Sequence, residues 1–292
     1  MGRVAAAALG AAALVLAGVA CGERSEPTGP GAALYPVTVQ SANGGQPLVL
    51  KRPARRIVVL APSAKRLLAA VGASHQVVGL PLAQNGSLLV GTLRSLKPDL
   101  IVASTTTDDA IVSQAARAVP KAPLYEAPDD SIRGVEETIT ELGLLTGRPG
   151  GATRLVQRIE RKRALVRRRL AGTRPVNVFL DTGLFITVSN QSLAADLLRE
   201  AHGHNVAGES AGAGAGPYDL QELLRQQPRW YLATSDSGTT LERLRKGTVT
   251  RKLHAIKAGR FAIVPAALLA PGPAIGDGLV ALARVLHPNA FR

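Results

Sequence analysis

The chain has 292 residues, enough for two modest domains or one large one with a real core. It is 46% hydrophobic and 19% charged with no long low-complexity tract, which excludes a disordered or fibrous protein, and its 3% of aromatic residues leaves any pocket to be lined mostly by Ala, Leu, Val and small polar groups. Thirty-five Lys and Arg against 21 Asp and Glu give a formal charge of +14, which suits nucleic acid, anionic lipid or anionic ligands without choosing among them, and a single cysteine, Cys21, excludes an intrachain disulfide and a cysteine-based metal site.

Residues 1–20, MGRVAAAALGAAALVLAGVA, set one Arg before an uncharged, mostly apolar stretch that ends in small residues. So short a stretch behind a basic start reads as a signal peptide rather than a spanning helix. The junction AGVAC resembles the lipobox of bacterial lipoproteins, with Gly18 where Leu is usual and Leu16 two positions early. That resemblance implies cleavage before Cys21 and a diacylglycerol on its sulfur; plain secretion with a free thiol is the alternative. Residues 21–34 then read as a flexible tether, because Pro, Gly and charge leave nothing to bury.

From Tyr35 strand and helix patterns alternate, as in parallel α/β architecture. RIVVLAP is a buried strand and 63–71 a helix stopped by Gly72. VVGL is a strand, LVGTLRSL a short helix, DLIVAS a strand entered from Pro98, AIVSQAARAV a helix and PLYEAP a strand. A helix capped by Ser131 closes near Gly147. The longest helix follows over about 152–170, with Ala152, Leu155, Val156, Ile159, Val166 and Leu170 as its buried stripe and eight Lys/Arg opposed only by Glu160. The second half follows the same plan, with VNVFLD and FITVSN as strands, SLAADLLREA as a helix capped by Asn190 or Ser192, DLQELLRQQ as a helix capped by Asp219, RWYLATS and FAIVP as strands, and a last helix over about 276–286.

One internal correspondence supports two lobes. LRSLKPDLIVAST and LLRQQPRWYLATS share a helix, a Pro and a buried strand that ends in hydroxyl residues. Aligning Pro98 with Pro228 sets Ser104 against Thr234. Ligands of parallel α/β sheets bind beyond the carboxyl ends of the strands, so Ser104-Thr105 and Thr234-Ser235 are expected on opposite walls of a cleft.

In order along the chain, YPVTVQSANGGQPLVLKRPARRIVVLAPS, LKPDLIVAS, LGLLTGRPGGATRLVQRI, LLREAHGHNVA, LHAIKAGRFAIVP and PGPAIGDGLVALARVLHP resemble the periplasmic-binding-protein family that serves iron-siderophore and vitamin B12 ABC importers. The resemblance implies two Rossmann-like α/β lobes joined by one long spine helix. It divides the chain into an N-terminal lobe over 35–148, a spine over 149–172 and a C-terminal lobe over 173–292. It also implies little hinge motion, a ligand in the inter-lobe cleft, and docking onto a membrane permease with an ATPase beneath. That family usually carries Glu at positions 66 and 221, where permease arginines meet it; here stand Arg66 and Gln221, with Glu222 one residue on, and Ala274 replaces a frequent Arg. His202 stands for the first Gly of a double-Gly turn.

Catalysis finds no support: there is no G-x-S-x-G elbow, HExxH or Walker sequence, and the five histidines are scattered. No metal site, cofactor or enzymatic activity is expected. The Gly-x-Gly-x-Gly run in GAGAGP follows no strand and reads as a mobile loop, and no aromatics interleave with the spine arginines as nucleic-acid binding needs. The expected ligand-binding residues are Ser63, Ala64, Lys65, Ser104 and Thr105 in the first lobe, and Phe185, Tyr218, Thr234 and Ser235 in the second. Lys65 and Arg66, directly after the Pro-Ser corner, are expected to make the cleft mouth electropositive and to favour an anionic ferric chelate. The expectation is therefore a monomeric, lipid-anchored, extracytoplasmic binding protein that hands a ferric siderophore-like chelate or corrinoid to an ABC permease. The alternative is a degenerate relative acting as a surface sensor or interaction protein.

Overall fold

Short, mostly apolar runs become the central strands of two parallel sheets, because strands covered on both faces leave little room for polar alternation. The computed structural model describes residues 35–292 apart from 43, 45, 46 and 212–215. The expected signal peptide, Cys21, the tether over 21–34 and most of the GAGAGP run lie outside the described residues.

A short antiparallel hairpin, β1 (Val37–Val39) and β2 (Leu48–Leu50), precedes the first sheet and buries Val37, Val39, Leu48 and Leu50. That sheet contains β3 (Ile57–Val59), β4 (Val77–Gly79), β5 (Leu100–Ser104) and β6 (Leu124–Ala127), all parallel, in the order β4-β3-β5-β6. Its connections carry α1 (Pro62–Ala70), α2 (Val90–Ser95) and α3 (Asp109–Ala118), and α4 (Ile132–Thr146) follows it. Then comes the spine helix α5 (Pro149–Leu170). The second sheet holds β7 (Val176–Asp181), β8 (Gly203–Asn205), β9 (Trp230–Thr234) and β10 (Phe261–Val264), again all parallel, in the order β10-β9-β7-β8. With it come α6 (Leu193–Glu200), α7 (Leu220–Gln226), α8 (Leu241–Lys246), α9 (His254–Lys257), α10 (Ala266–Leu269) and α11 (Ile275–Leu286). Counted within its own sheet, each lobe has the same 2-1-3-4 strand order, so each reverses direction between its first and third strands.

Local chemistry sets the helix ends. The Ser131 hydroxyl accepts the Gly134 N–H at 3.0 Å, and Gly147 closes α4 at φ 69°. Ser192 and Asp219 cap α6 and α7 in the same way. The spine begins at Pro149, three residues before the start read from periodicity, because Pro suits the first helical turn. Glycine at 151 lets α5 lie directly against the Val71 backbone carbonyl. His202 takes φ 54°, a left-handed turn of the kind glycine usually fills, and its Nδ1 sits 2.8 Å from the Thr173 hydroxyl.

FITVSN is not a strand. Leu184 and Phe185 both adopt positive φ in a tight turn bridged from Gly183 to Ile186, and the second strand of this sheet is β8 instead. The β-branched residues mislead here because Asp181 takes the N–H groups of Gly183 and Phe185 and bends the chain back. The short helices α8, α9 and α10 carry too few turns to show a periodicity that sequence alone would reveal.

Helix α5 packs between α4 of the first lobe and α11 of the second. Its buried stripe is Ala152, Leu155, Ile159, Val166 and Leu170, with Val156 half-buried beside it. One continuous core runs from Ile57 and Leu67 through α5 to Val178 and Leu279, so the lobes cannot move far apart without opening it. On this junction Arg163 meets three carboxylates, Glu136 of α4, Glu160 of α5 and Glu200 of α6. Burial, with help from Glu160 and Glu200 and against the pull of Arg163, pushes Glu136 up to about 7 from an ordinary 4.5. The folded state thus keeps a proton that the unfolded chain has released, so this group's contribution to stability falls as pH rises from about 4.5 to about 7. Glu136→Gln has no proton to lose, and its melting temperature is expected to gain on that of the wild type across this window. Parallel melting curves would refute the proton assignment.

Candidate functional site

The carboxyl ends of the two sheets face each other. Two hydrogen bonds between segments that follow those strand ends establish this. The Ile132 N–H at the start of α4 donates to Asp196 Oδ2 on α6 at 2.8 Å, and Arg66 Nη2 on α1 donates to the Pro271 carbonyl beyond α10 at 3.0 Å. Each lobe therefore turns its point of strand-order reversal, where α/β sheets open a crevice, toward the other.

On the first lobe the corner after β3 supplies Ser63, and the end of β5 supplies Ser104 and Thr105. All three hydroxyls donate to one carboxylate, Asp129, which follows β6. Ser104 lies 2.7 and 2.8 Å from its two oxygens, Thr105 3.1 Å and Ser63 3.4 Å. Asp129 is only 2% exposed, and burial raises its carboxyl above the usual range while the three hydroxyls oppose the rise. With their protons committed to Asp129, Ser63 and Thr105 can offer a neighbour only lone pairs. Asp129 is hidden in the sequence because Pro128-Asp129-Asp130 looks like an ordinary turn. The Pro that follows the fourth strand of each lobe is the one signal that could have found it.

The other two residues expected on this wall lie elsewhere. Ala64 is buried in the shared core, where the stripe of α1 demands an apolar residue. Lys65 lines a groove with Ala69, Ser74 and Val77 to Gly79 that includes none of the hydroxyl cluster. Arg66, exposed, is turned to the Pro271 carbonyl. Of the two cations expected at the cleft mouth, Arg66 bridges the lobes there, while beside the hydroxyls stands a buried carboxylate.

On the second lobe the turn after β7 presents Phe185, at φ 61°, and the Tyr218 N–H donates to the Phe185 carbonyl at 2.9 Å. Both rings are half-buried against this lobe's own core, with Tyr218 5.9 Å from Phe179. Beneath them Asp181 is fully buried; one oxygen takes the N–H groups of Gly183 and Phe185, and the other takes the hydroxyls of Tyr231 at 2.7 Å and Thr239 at 2.8 Å. A cleft of about 490 Å³ opens beside Tyr218, with Thr187, Ser210, Asp219 and Arg225 on its walls.

Thr234 and Ser235 end β9. Thr234 stands opposite Val264 in register, as Ser104 stands opposite Ala127, and Pro265-Ala266 then follow as Pro128-Asp129 do in the first lobe. Alanine at 266 thus occupies the place of Asp129. The consequence is visible: the buried Thr234 Oγ1 has no hydrogen-bond partner, and Ser235 Oγ accepts the Ala266 N–H at 3.1 Å instead. The two walls are alike in backbone and unlike in charge.

Gln221 is exposed near the start of α7, and Glu222 beside it is held by Arg225 and Gln226. Among the described residues no group of three or more His, Cys, Asp and Glu converges as a metal ion requires, and no helix is long and apolar enough to cross a membrane.

The family described as periplasmic binding protein matches residues 57–268, a span that includes both sheets and the spine. No curated protein matches the sequence. Among solved structures, CeuE of Helicobacter pylori in a Ni-His complex is 18% identical with a TM-score of 0.72, covering 87% of this chain and 89% of that one. MolA of Haemophilus influenzae bound to molybdate is 16% identical with a TM-score of 0.72, over 87% and 92% of the two chains. The periplasmic vitamin B12 binding protein BtuF of Vibrio cholerae is 16% identical with a TM-score of 0.68, over 82% and 99%. At such identities the likeness is one of fold.

Proposed function

Because the chain belongs to the periplasmic binding protein family, whose members are extracytoplasmic solute-binding proteins of ABC transporters, we propose that it captures a metal chelate, ferric siderophore-like or corrinoid, in the cleft between its lobes and delivers it to a membrane permease. The observation that carries this reading is the Ser63, Ser104 and Thr105 cluster on Asp129, set at the strand-order reversal of one lobe and facing the other. Hydroxyls that only accept, backed by a buried carboxylate, suit a chelate whose rim offers N–H or O–H donors, or one that carries positive charge, better than a bare anion. Phe185 and Tyr218, with Thr234 and Ser235, form the facing wall. A diacylglycerol on Cys21 would hold the binding lobes near the permease, with residues 21–34 as the leash.

A screen of the full chain in neutral detergent against ferric siderophores, haem and corrinoids tests the reading by thermal shift. A ligand at a hundred times its dissociation constant adds about 2.7 kcal/mol to stability by mass action. In a protein of this size that is a rise of roughly 5–10 °C. No shift with any of these classes would reject the chelate reading. It would favour the second one, a degenerate relative that serves as a sensor, which draws on Arg66 and Gln221 standing where docking carboxylates are usual and on Glu222 being paired with Arg225.

A further inference from the structure

The far end of the second sheet, away from the cleft, carries a pocket with a different chemistry. Three neighbouring strands enter the sheet just after an arginine: Arg260 directly precedes β10, Arg229 directly precedes β9, and Arg174 lies two residues before β7. Adjacent strands lie about 4.8 Å apart, so the three side chains spring from a strip of backbone about 10 Å wide. With Trp230, His287 and Asn289 they line a pocket of about 510 Å³ that no acidic side chain enters. Among the described residues none of the three arginines has an ion-pair partner.

The fold does not require this arrangement, as the first lobe shows. There Asp99 occupies the place of Arg229, after the matching Pro98, and its carboxylate accepts the N–H groups of Arg55 and Arg56 at 2.8 to 3.1 Å. Pro123 occupies the place of Arg260, directly before β6. In the second lobe a cation replaces that carboxylate and three arginines stand in a row, where they repel one another unless an anion sits among them. Burial, the neighbouring His202 and the nearby Arg229 disfavour the imidazolium of His287, against the pull of the His202 carbonyl 3.2 Å from its Nε2.

We propose that this pocket binds a phosphate-bearing anion, gripped by the forked guanidinium groups of Arg174, Arg229 and Arg260 with Trp230 packed against the rest of the ligand. Guanidinium forks match phosphate oxygens two at a time, which a scattered positive surface does not. The phosphate is either free in solution or the headgroup of a membrane lipid, and the site is independent of the cleft.

Trp230 is the only tryptophan of the chain, so emission excited selectively at indole reads this pocket. The full chain in neutral detergent is titrated with inorganic pyrophosphate at constant ionic strength, and in parallel with phosphatidylglycerol in mixed micelles. A saturable change in emission is expected: with pyrophosphate if the source is soluble, with the micelles alone if it is a headgroup. Arg229→Gln is expected to weaken it roughly tenfold, the loss of one charge-assisted fork. Arg154→Gln, on the exposed face of α5, keeps the same net charge as that variant and is expected to leave it unchanged. Thermal unfolding of both variants checks that they are folded. The proposal is overturned if neither probe saturates, or if both variants weaken the signal equally, which is attraction by net charge alone.

Discussion

Asp181→Ala is expected to lower the midpoint of thermal unfolding by roughly 6–12 °C. The carboxylate is fully buried at the end of β7 and receives four donors, the N–H groups of Gly183 and Phe185 and the hydroxyls of Tyr231 and Thr239. Tyr231 is itself fully buried, so its hydroxyl cannot turn to solvent when the acceptor disappears. The fully buried Tyr231 hydroxyl left without a partner costs about 1–3 kcal/mol, and the three half-buried donors bring the net loss to about 3–5 kcal/mol. The turn that carries Phe185 at positive φ depends on the same carboxylate, so the second wall of the cleft should loosen with it. Asp181→Asn keeps one acceptor and brings two donors of its own, and should fall between. Scanning calorimetry on the three proteins decides the matter; an alanine variant within about 2 °C of wild type would show that Asp181 does not hold this lobe together.

The second large effect is on ligand affinity. Asp129→Ala is expected to weaken binding of the chelate that gives the greatest thermal shift by roughly ten- to a hundredfold, the worth of a charge-assisted hydrogen-bond network at the proposed binding site. The side chain is 2% exposed and acts by orienting Ser63 and Thr105, whose protons it takes. Without it those hydroxyls rotate freely and no longer present lone pairs in a fixed direction. Stability should change far less than in Asp181→Ala, because Ser104 retains the Thr106 hydroxyl and N–H as neighbours. Lys65→Ala serves as the contrast, since Lys65 lines a separate groove and should leave affinity unaltered. Isothermal titration calorimetry separates these outcomes: equal affinity in wild type and Asp129→Ala would remove the cluster from the binding site.

Several features of the fold were legible because their causes are local. DLIVAS, VNVFLD and RWYLATS are recognisable as strands from their mostly apolar runs, and Ser131 and Asp219 as caps, with Ser192 as one of two candidates, because a capping bond spans only two or three residues. The alignment of Pro98 with Pro228 anticipates two lobes on one plan, and both sheets indeed share a strand order. FITVSN illustrates the limit. Its residues favour a strand, yet a carboxylate four residues before Phe185 outweighs that preference by offering the backbone a different partner.

Most of the buried segments, the ends of most longer helices and the likeness of the two halves can be read along the chain, since periodicity, capping and turn chemistry act over a few neighbouring residues. Tertiary structure alone decided the sites. Asp129 reaches Ser104 across 25 residues and Ser63 across 66. Arg174, Arg229 and Arg260 meet only because β7, β9 and β10 lie side by side. Strand order sets such meetings, and it is the outcome of packing two sheets against one spine helix, which no spacing along the chain encodes.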